Sequence, residues 1–126
     1  MASRLSMMQI ATGHLLRVYR ENAKLSQSEV MAQLGYANSN LLSVIENGRT
    51  NIPFKRITEF LEVYQVPKEM LTPIVRMIQP DTWLMHLQLL AIEQGQEKAD
   101  ALEAETKEKI NKILTKNNMH DFLKFV

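Results

Sequence analysis

The side chains best suited to specific recognition are four short polar residues that lie close together in the chain: Asn38, Ser39, Asn40 and Ser43. An amide such as that of Asn40 can form two hydrogen bonds to adenine, which contributes roughly 1–3 kcal/mol of discrimination per good contact. Serine hydroxyls are short, so they permit close approach but select a base only weakly. This chemistry suits a protein helix that enters a DNA groove.

These polar residues lie in a segment, residues 26–53, that has the layout of a helix-turn-helix. Ser26 and Glu29 have the spacing of a capping box, which begins the first helix of the pair. Gly35 can take the left-handed conformation that ends this helix, and Gly48 stops the second helix. Two helices this short cannot bury their own apolar faces, so flanking helices must support both.

The supporting elements are predicted from helical periodicity and from helix stop signals. Pro53, Pro73 and Pro80 suit helix starts, because proline lacks the N–H that would be unpaired there. Gly95 interrupts the last helical stretch. The predicted helices cover about 7–22, 27–34, 39–47, 53–65, 80–94 and 96–116. The start of the first helix is open, because Thr12-Gly13 could be a break or its true beginning.

Composition limits the classes of function. The chain has 126 residues, of which 45% are hydrophobic and 23% charged, and these are ordinary values for a globular protein. This length has room for one domain with an appendage or for one modest all-helical unit. There is no Cys, which excludes disulfides, Cys-based metal sites and thiol nucleophiles. His14, His86 and His120 show no ligand spacing, and the sequence offers no catalytic set. We therefore expect no metal, no cofactor and no enzymatic activity.

Charge and hydropathy bear on the expected partners and location. The sequence shows neither a signal peptide nor a membrane-spanning stretch, so we expect a cytoplasmic protein with no membrane partner. The formal net charge of +1 is low for a nucleic-acid binder. DNA binding would therefore depend on a few placed contacts more than on a broad basic field.

Several short motifs together resemble a known family. The residues that carry the similarity are Arg20, Leu25-Ser26-Gln27, Glu29, Ala32, Leu34-Gly35 and Ile45-Glu46-Asn47-Gly48. They resemble the Cro/repressor-type helix-turn-helix of lambdoid phages, also called the XRE family, and the similarity covers about residues 13–71. The string ENGRTNIP is similar to the exit loop of lambdoid repressors. The resemblance implies an all-α fold, with a five-helix lambda-repressor-like DNA-binding domain followed here by a C-terminal helical extension.

The resemblance also implies a partner and a set of contacts by position. The partner would be an operator in double-stranded DNA, bound by a homodimer through a recognition helix at about 39–47. The predicted base contacts are Asn38, Ser39, Asn40, Ser43 and Val44. The predicted phosphate contacts are Gln27, Asn47, Arg49, Thr50 and Lys55, of which Arg49 and Lys55 could equally be ordinary surface charges. Arg20 and Glu46 would form a structural ion pair. The turn after Gly35 is a residue longer than the commonest pattern, which leaves the register of the base contacts open by one.

The C-terminal part of the chain carries more large apolar residues than one domain face can cover. We predict a division into a DNA-binding domain at residues 1–78 and a dimerisation region at residues 79–126. The predicted dimer interface consists of Trp83, Leu84, Leu87 and Leu90, although the same residues could instead form core. Whether residues 96–126 form an extended arm or pack back is open.

Two other functions remain compatible with the sequence. One is an antitoxin that represses its own operon and binds a toxin through residues 79–126, so that a protein partner of this region is possible. The other is a protein-interaction module that keeps the helix-turn-helix shape without binding DNA, and the net charge of +1 is its main support.

Overall fold

The computed structural model describes residues 3–126, which form seven α-helices and three short 3-10 helices and contain no strand. The α-helices are α1 (Arg4–Asn22), α2 (Gln27–Gln33), α3 (Asn40–Glu46), α4 (Ile57–Val63), α5 (Leu71–Ile78), α6 (Pro80–Gln94) and α7 (Gln96–Lys116). The 3-10 helices cover Phe54–Arg56, Lys68–Met70 and His120–Phe125. The predicted all-helical fold with a C-terminal helical region is confirmed.

Helix α1 begins earlier than its apolar stripe predicts. The Ser3 side chain accepts a hydrogen bond from the Ser6 N–H and caps the helix, so α1 starts at Arg4 and not near residue 7. Helix α1 is not broken at Thr12 and Gly13, which lie buried in its middle. Gly13 is tolerated there for a reason of packing, described below.

The predicted helix-turn-helix is formed by α2, α3 and the turn between them. The Ser26 hydroxyl accepts from the Glu29 N–H, and the Glu29 carboxylate accepts from the Ser26 N–H, both at 3.0 Å, so the capping box is complete. Gly35 ends α2 with a φ of +84°, a conformation that glycine adopts without strain. Helix α3 begins after Asn38, whose side-chain oxygen accepts from the Asn40 N–H at 3.0 Å.

One apolar core joins the two halves of the chain. Helices α1 to α5 contribute most of its fully buried side chains, among them Leu15, Leu16, Met31, Leu42, Ile45, Phe60, Ile74 and Ile78. Ile110, Leu114 and Met119 from the C-terminal part belong to the same cluster. Residues 96–126 therefore pack back on the body of the protein.

The C-terminal part is a helical hairpin followed by a docked tail. Gly95, at φ +99°, separates α6 from α7, and these two helices pack against each other. The 3-10 helix His120–Phe125 contacts both α1 and α7, and Arg4 Nε donates a hydrogen bond to the Phe125 carbonyl. Within residues 3–126, no helix combines the length and the apolarity needed to cross a bilayer.

Candidate nucleic-acid interface

Helix α3 has one buried face and one polar, outward face. Leu42 and Ile45 are fully buried and hold the helix on the core. Asn40, Val44 and Asn47 are exposed and follow one another at helical spacing, and Ser43 lies half-buried beside them. These are four of the residues that the sequence analysis assigned to DNA contact. The structure thus places them together on a single surface that is open to solvent.

The turn before α3 positions the remaining predicted base contacts. Asn38 is exposed, and its side-chain oxygen is used to cap α3, which leaves its amide N–H groups to donate elsewhere. Ser39 directly precedes the helix and is half-buried, without a side-chain capping bond. At the start of the exposed face, Asn38 can therefore act only as a donor, whereas both ends of the Asn40 side-chain amide are available.

A buried ion pair fixes α3 to α1. Arg20 Nε lies 2.7 Å from Glu46 Oε2 and Arg20 Nη2 lies 3.0 Å from Glu46 Oε1, in a two-point arrangement. The side chains are only 12% and 3% exposed, respectively. Arg20 Nη1 also donates to the Leu25 carbonyl at 2.8 Å. The hydrogen bond to Glu46 raises the pKa of Arg20 above its ordinary value, so this cation stays charged at every accessible pH.

Gln27 extends the same network to α2. Its side-chain Nε2 donates to Glu46 Oε1 at 3.0 Å. The Glu46 carboxylate on α3 therefore binds both Arg20 of α1 and Gln27 of α2. The family resemblance predicted only a phosphate contact for Gln27. Its amide nitrogen has a second N–H, and the residue is half-buried, so a phosphate oxygen could still accept from it.

A close backbone approach adds a second constraint on α3, one that sequence reasoning missed. A Cβ atom at Gly13 would lie 2.3 Å from the Ile45 carbonyl oxygen and 3.1 Å from that of Glu46. Helix α1 can therefore touch the end of α3 only because residue 13 has no side chain. The signal available in the sequence was a glycine inside a helical pattern, which often marks such an approach.

The exit loop after α3 presents basic and polar groups next to the outward face. Arg49 is exposed, Thr50 is half-buried, and Lys55 is exposed on the following 3-10 helix. Neither Arg49 nor Lys55 takes part in an ion pair within the described chain. The loop is anchored to α1, because Gln9 Nε2 donates to the Gly48 carbonyl at 3.0 Å.

Arg56 is a cation in this region that the sequence analysis did not single out, and it is engaged within the protein. It donates to the Leu34 carbonyl and to Glu59, both at 2.7 Å, and lies over the Tyr36 ring at 4.8 Å. These bonds tie α4 to the end of α2. The hydrogen bond with Arg56 lowers the pKa of Glu59 below its usual range.

The residues predicted to form a dimer interface do not share one exposed surface. Trp83 is 5% exposed, and its Nε1 donates to Glu103 Oε1 on α7 at 3.3 Å. Leu87 and Leu90 are half-buried, and only Leu84 of the four is exposed. The reason is that α6 is apolar on two faces, one of which packs within the protein. The other face is exposed and consists of Leu84, Met85, Leu89 and Ile92.

Within residues 3–126, no three His, Asp or Glu side chains are grouped so that they could hold a metal ion. The surface built around α3 is instead one of hydrogen-bonding groups on a fixed support, with two free cations beside it. Such a surface can donate to phosphates and to the edges of bases.

Comparisons with known proteins are consistent with this geometry. Neither the curated proteins nor the solved structures yield a match to the chain. The model of a family described as the helix-turn-helix domain matches residues 11–73, which is half of the chain. The matched range extends from α1 into α5 and includes the whole of the surface around α3. The chain therefore belongs to the helix-turn-helix domain family.

Proposed function

We propose that this protein is a sequence-specific DNA-binding transcriptional regulator of the XRE type, a repressor that acts as a homodimer. The observation that carries the proposal is the outward face of α3. It presents Asn40, Ser43, Val44 and Asn47 in one stripe, held by the Arg20–Glu46 pair. The helix enters the major groove, where Asn40 and Ser43 read base edges.

The chemistry of each side chain decides whether it contacts a base or a phosphate. Asn40 is exposed at the start of α3, where its amide can bind adenine at two points. Val44 contacts the methyl group of a thymine. Gln27, Asn47, Arg49, Thr50 and Lys55 hold phosphates, which fixes the register of α3 on the duplex without reading the sequence.

The low net charge has a measurable consequence. Each phosphate that a cation neutralises releases a counterion and steepens the dependence of affinity on salt. Because Arg49 and Lys55 are the free cations assigned to DNA on each subunit, we expect a shallow salt dependence for a regulator of this size.

The test begins with selection of a binding site from a random duplex pool. Affinities for the selected duplex and for a random duplex are then measured by fluorescence anisotropy, with wild type, Asn40→Ala and the control Gln96→Ala. Gln96 is an exposed amide at the start of α7, away from α3. Loss of one two-point contact should weaken specific binding by roughly 1–3 kcal/mol and leave non-specific binding unchanged.

The outcomes separate the candidate functions. Equal loss on both duplexes would show that Asn40 does not read bases. Failure of the folded wild type to retain any duplex at low salt would favour the interaction module without DNA binding. A selected site that is an inverted repeat, with half-sites about 10 base pairs apart, supports the homodimer.

A second candidate is an autorepressing antitoxin, and the exposed apolar face of α6 favours it. Leu84, Met85, Leu89 and Ile92 could cover a toxin as well as a second copy of the chain. Sedimentation of the purified protein distinguishes the two. A dimer favours self-association through this face, whereas a monomer that binds DNA favours a different protein partner.

A further inference from the structure

A small cleft between the first two turns of α1, the end of α5 and the start of α6 contains two arginines. It has a volume of about 220 Å³ and is lined by Arg4, Leu5, Met8, Arg76, Met77 and Pro80. Among these lining residues none is acidic, and none belongs to the proposed DNA contacts. The cleft is therefore a separate feature of the protein, and its lining is basic and apolar.

Arg76 is held in a fixed position at the edge of this cleft. Its side chain is only 9% exposed, and its Nε donates to Glu103 Oε1 on α7. The same Glu103 oxygen accepts from Trp83 Nε1 at 3.3 Å, which orients the carboxylate. Neither Glu103 nor Trp83 lines the cleft, so the Arg76 guanidinium contacts its partner on one side and the cleft on another.

Both arginines have unused donors. Arg4 Nε donates to the Phe125 carbonyl, which ties the start of α1 to the C-terminal 3-10 helix. A guanidinium has five N–H donors, and within residues 3–126 Arg4 and Arg76 each form a hydrogen bond through Nε alone. The Nη groups of both are therefore without a protein partner. Buried donors usually have one, so the largely buried Arg76 calls for an acceptor in the cleft.

The cleft remains positive when the nearby carboxylates are counted. Glu103 can neutralise one of the two arginines, whereas the Phe125 carbonyl that binds Arg4 carries no formal charge. Asp81 is adjacent in sequence to the lining, but it is exposed and does not contribute to it, so solvent screens its charge. The excess of positive charge favours an anionic ligand.

The floor of the cleft suits an apolar body and not a bare ion. Met8 and Met77 are 3% and 2% exposed, and methionine side chains adapt to the shape of what they contact. Leu5 and Pro80 are exposed at its rim. The volume is below the roughly 300–1,000 Å³ that is common for drug-sized ligands, so the occupant must be small.

We propose that this cleft binds a small organic carboxylate whose short apolar body rests on Met8 and Met77. The two oxygens of a carboxylate match the planar donor fork of arginine, which a lysine ammonium does not offer. They accept from the free N–H groups of Arg4 and Arg76 and so connect α1 with α5 beside the start of α6. The site does not depend on the proposed DNA-binding function.

The first experiment is a titration of the whole protein with hexanoate, followed by its backbone amide NMR signals. We expect saturable shifts at Leu5, Met77 and Asp81. Acetate should bind about tenfold more weakly, because it has almost no apolar body to bury. Neutral hexanamide and cationic hexylammonium should cause weaker shifts or none. Absence of shifts at these residues, or equal binding of hexylammonium, would overturn the proposal. Equal binding of acetate or inorganic phosphate would show a site for an adventitious ion only.

Variants of the two arginines locate the site. Arg4→Gln should weaken hexanoate binding about fivefold, whereas Arg17→Gln, the same charge change at an exposed position of α1 outside the cleft, should have no effect. Arg76→Lys keeps a cation for Glu103 but removes the fork, and should weaken binding about threefold. Unchanged affinity in both Arg4→Gln and Arg76→Lys would overturn the site. Equal loss in Arg17→Gln would show that hexanoate responds only to overall charge.

Thermal unfolding gives an independent readout. A ligand that binds only the folded state raises the unfolding midpoint as its concentration increases. We expect hexanoate to raise the midpoint of wild type and Arg17→Gln, with a much smaller rise for Arg4→Gln and none from hexanamide. An equal rise in all three proteins would be a general solvent effect and would contradict the proposal. Because no duplex is present, these results stand whether or not the protein binds DNA.

Discussion

At the scale of single residues, the surface around α3 depends most on the Arg20–Glu46 pair. Removal of one partner leaves the other charge buried, which typically costs about 3–5 kcal/mol. We expect Arg20→Ala to lower the free energy of unfolding by that amount in urea titrations. The double variant Arg20→Met/Glu46→Leu should be much closer to wild type, because it leaves no buried charge unpaired. A double variant as unstable as the single one would show that the pair itself supplies the stability.

A second prediction at the residue scale concerns the stability of the fold at acidic pH. Hydrogen bonds with the backbone and side chain of Ser26 lower the pKa of Glu29 below its usual 4.5. The folded state therefore binds fewer protons than the unfolded state, so this contribution to stability is present above about pH 4.5 and lost as pH falls through the lowered pKa. Unfolding midpoints should decline over that range. They should decline less in Glu29→Gln, which keeps the capping hydrogen bond but cannot titrate.

Sequence reasoning anticipated some of these residues and missed others for a physical reason. The polar stripe of α3 could be predicted because helical spacing alone decides which side chains share a face. The bond from Gln27 to Glu46 and the role of Arg56 depend on how three helices approach one another. Such distances between separate elements are not encoded in local spacing.

At the scale of elements, the contact of α1 with α3 gives a steric prediction. Alanine at Gly13 would place a Cβ 2.3 Å from the Ile45 carbonyl, so the two backbones would have to separate. Overpacking costs about 1–3 kcal/mol, whereas the better helix propensity of alanine returns only about 1 kcal/mol. We therefore expect Gly13→Ala to be destabilising in thermal unfolding. The control His14→Ala, at an exposed neighbour, should have little effect.

The helix boundaries show which limits can be predicted from proline and glycine residues and which cannot. Helices α6 and α7 match the predicted ranges, because Pro80 and Gly95 mark their limits. The predicted helix at 53–65 is instead a 3-10 turn followed by α4. There Arg56 turns to bind the Leu34 carbonyl, a tertiary contact that periodicity does not reveal.

At the scale of the whole molecule, the exposed face of α6 determines the expected assembly. Ile92 is 81% exposed in the protomer, so its substitution should not affect the fold. We expect wild type to sediment as a weak dimer and Ile92→Glu to sediment as a monomer with an unchanged unfolding midpoint. The control Ala104→Glu adds the same charge on the exposed side of α7 and should remain dimeric. A dimer that survives Ile92→Glu would place the interface elsewhere.

The shared core has a consequence for any attempt to recombine this protein with others. Ile110, Leu114 and Met119 seal the same interior as α1 and α5, so an exchange of the C-terminal helices for a foreign pairing module would admit water to it. Under the proposed function, a new target preference requires only a few substitutions on the outward face of α3, which do not touch this core. We expect that assembly can be changed without opening this core only by substitutions on the exposed face of α6.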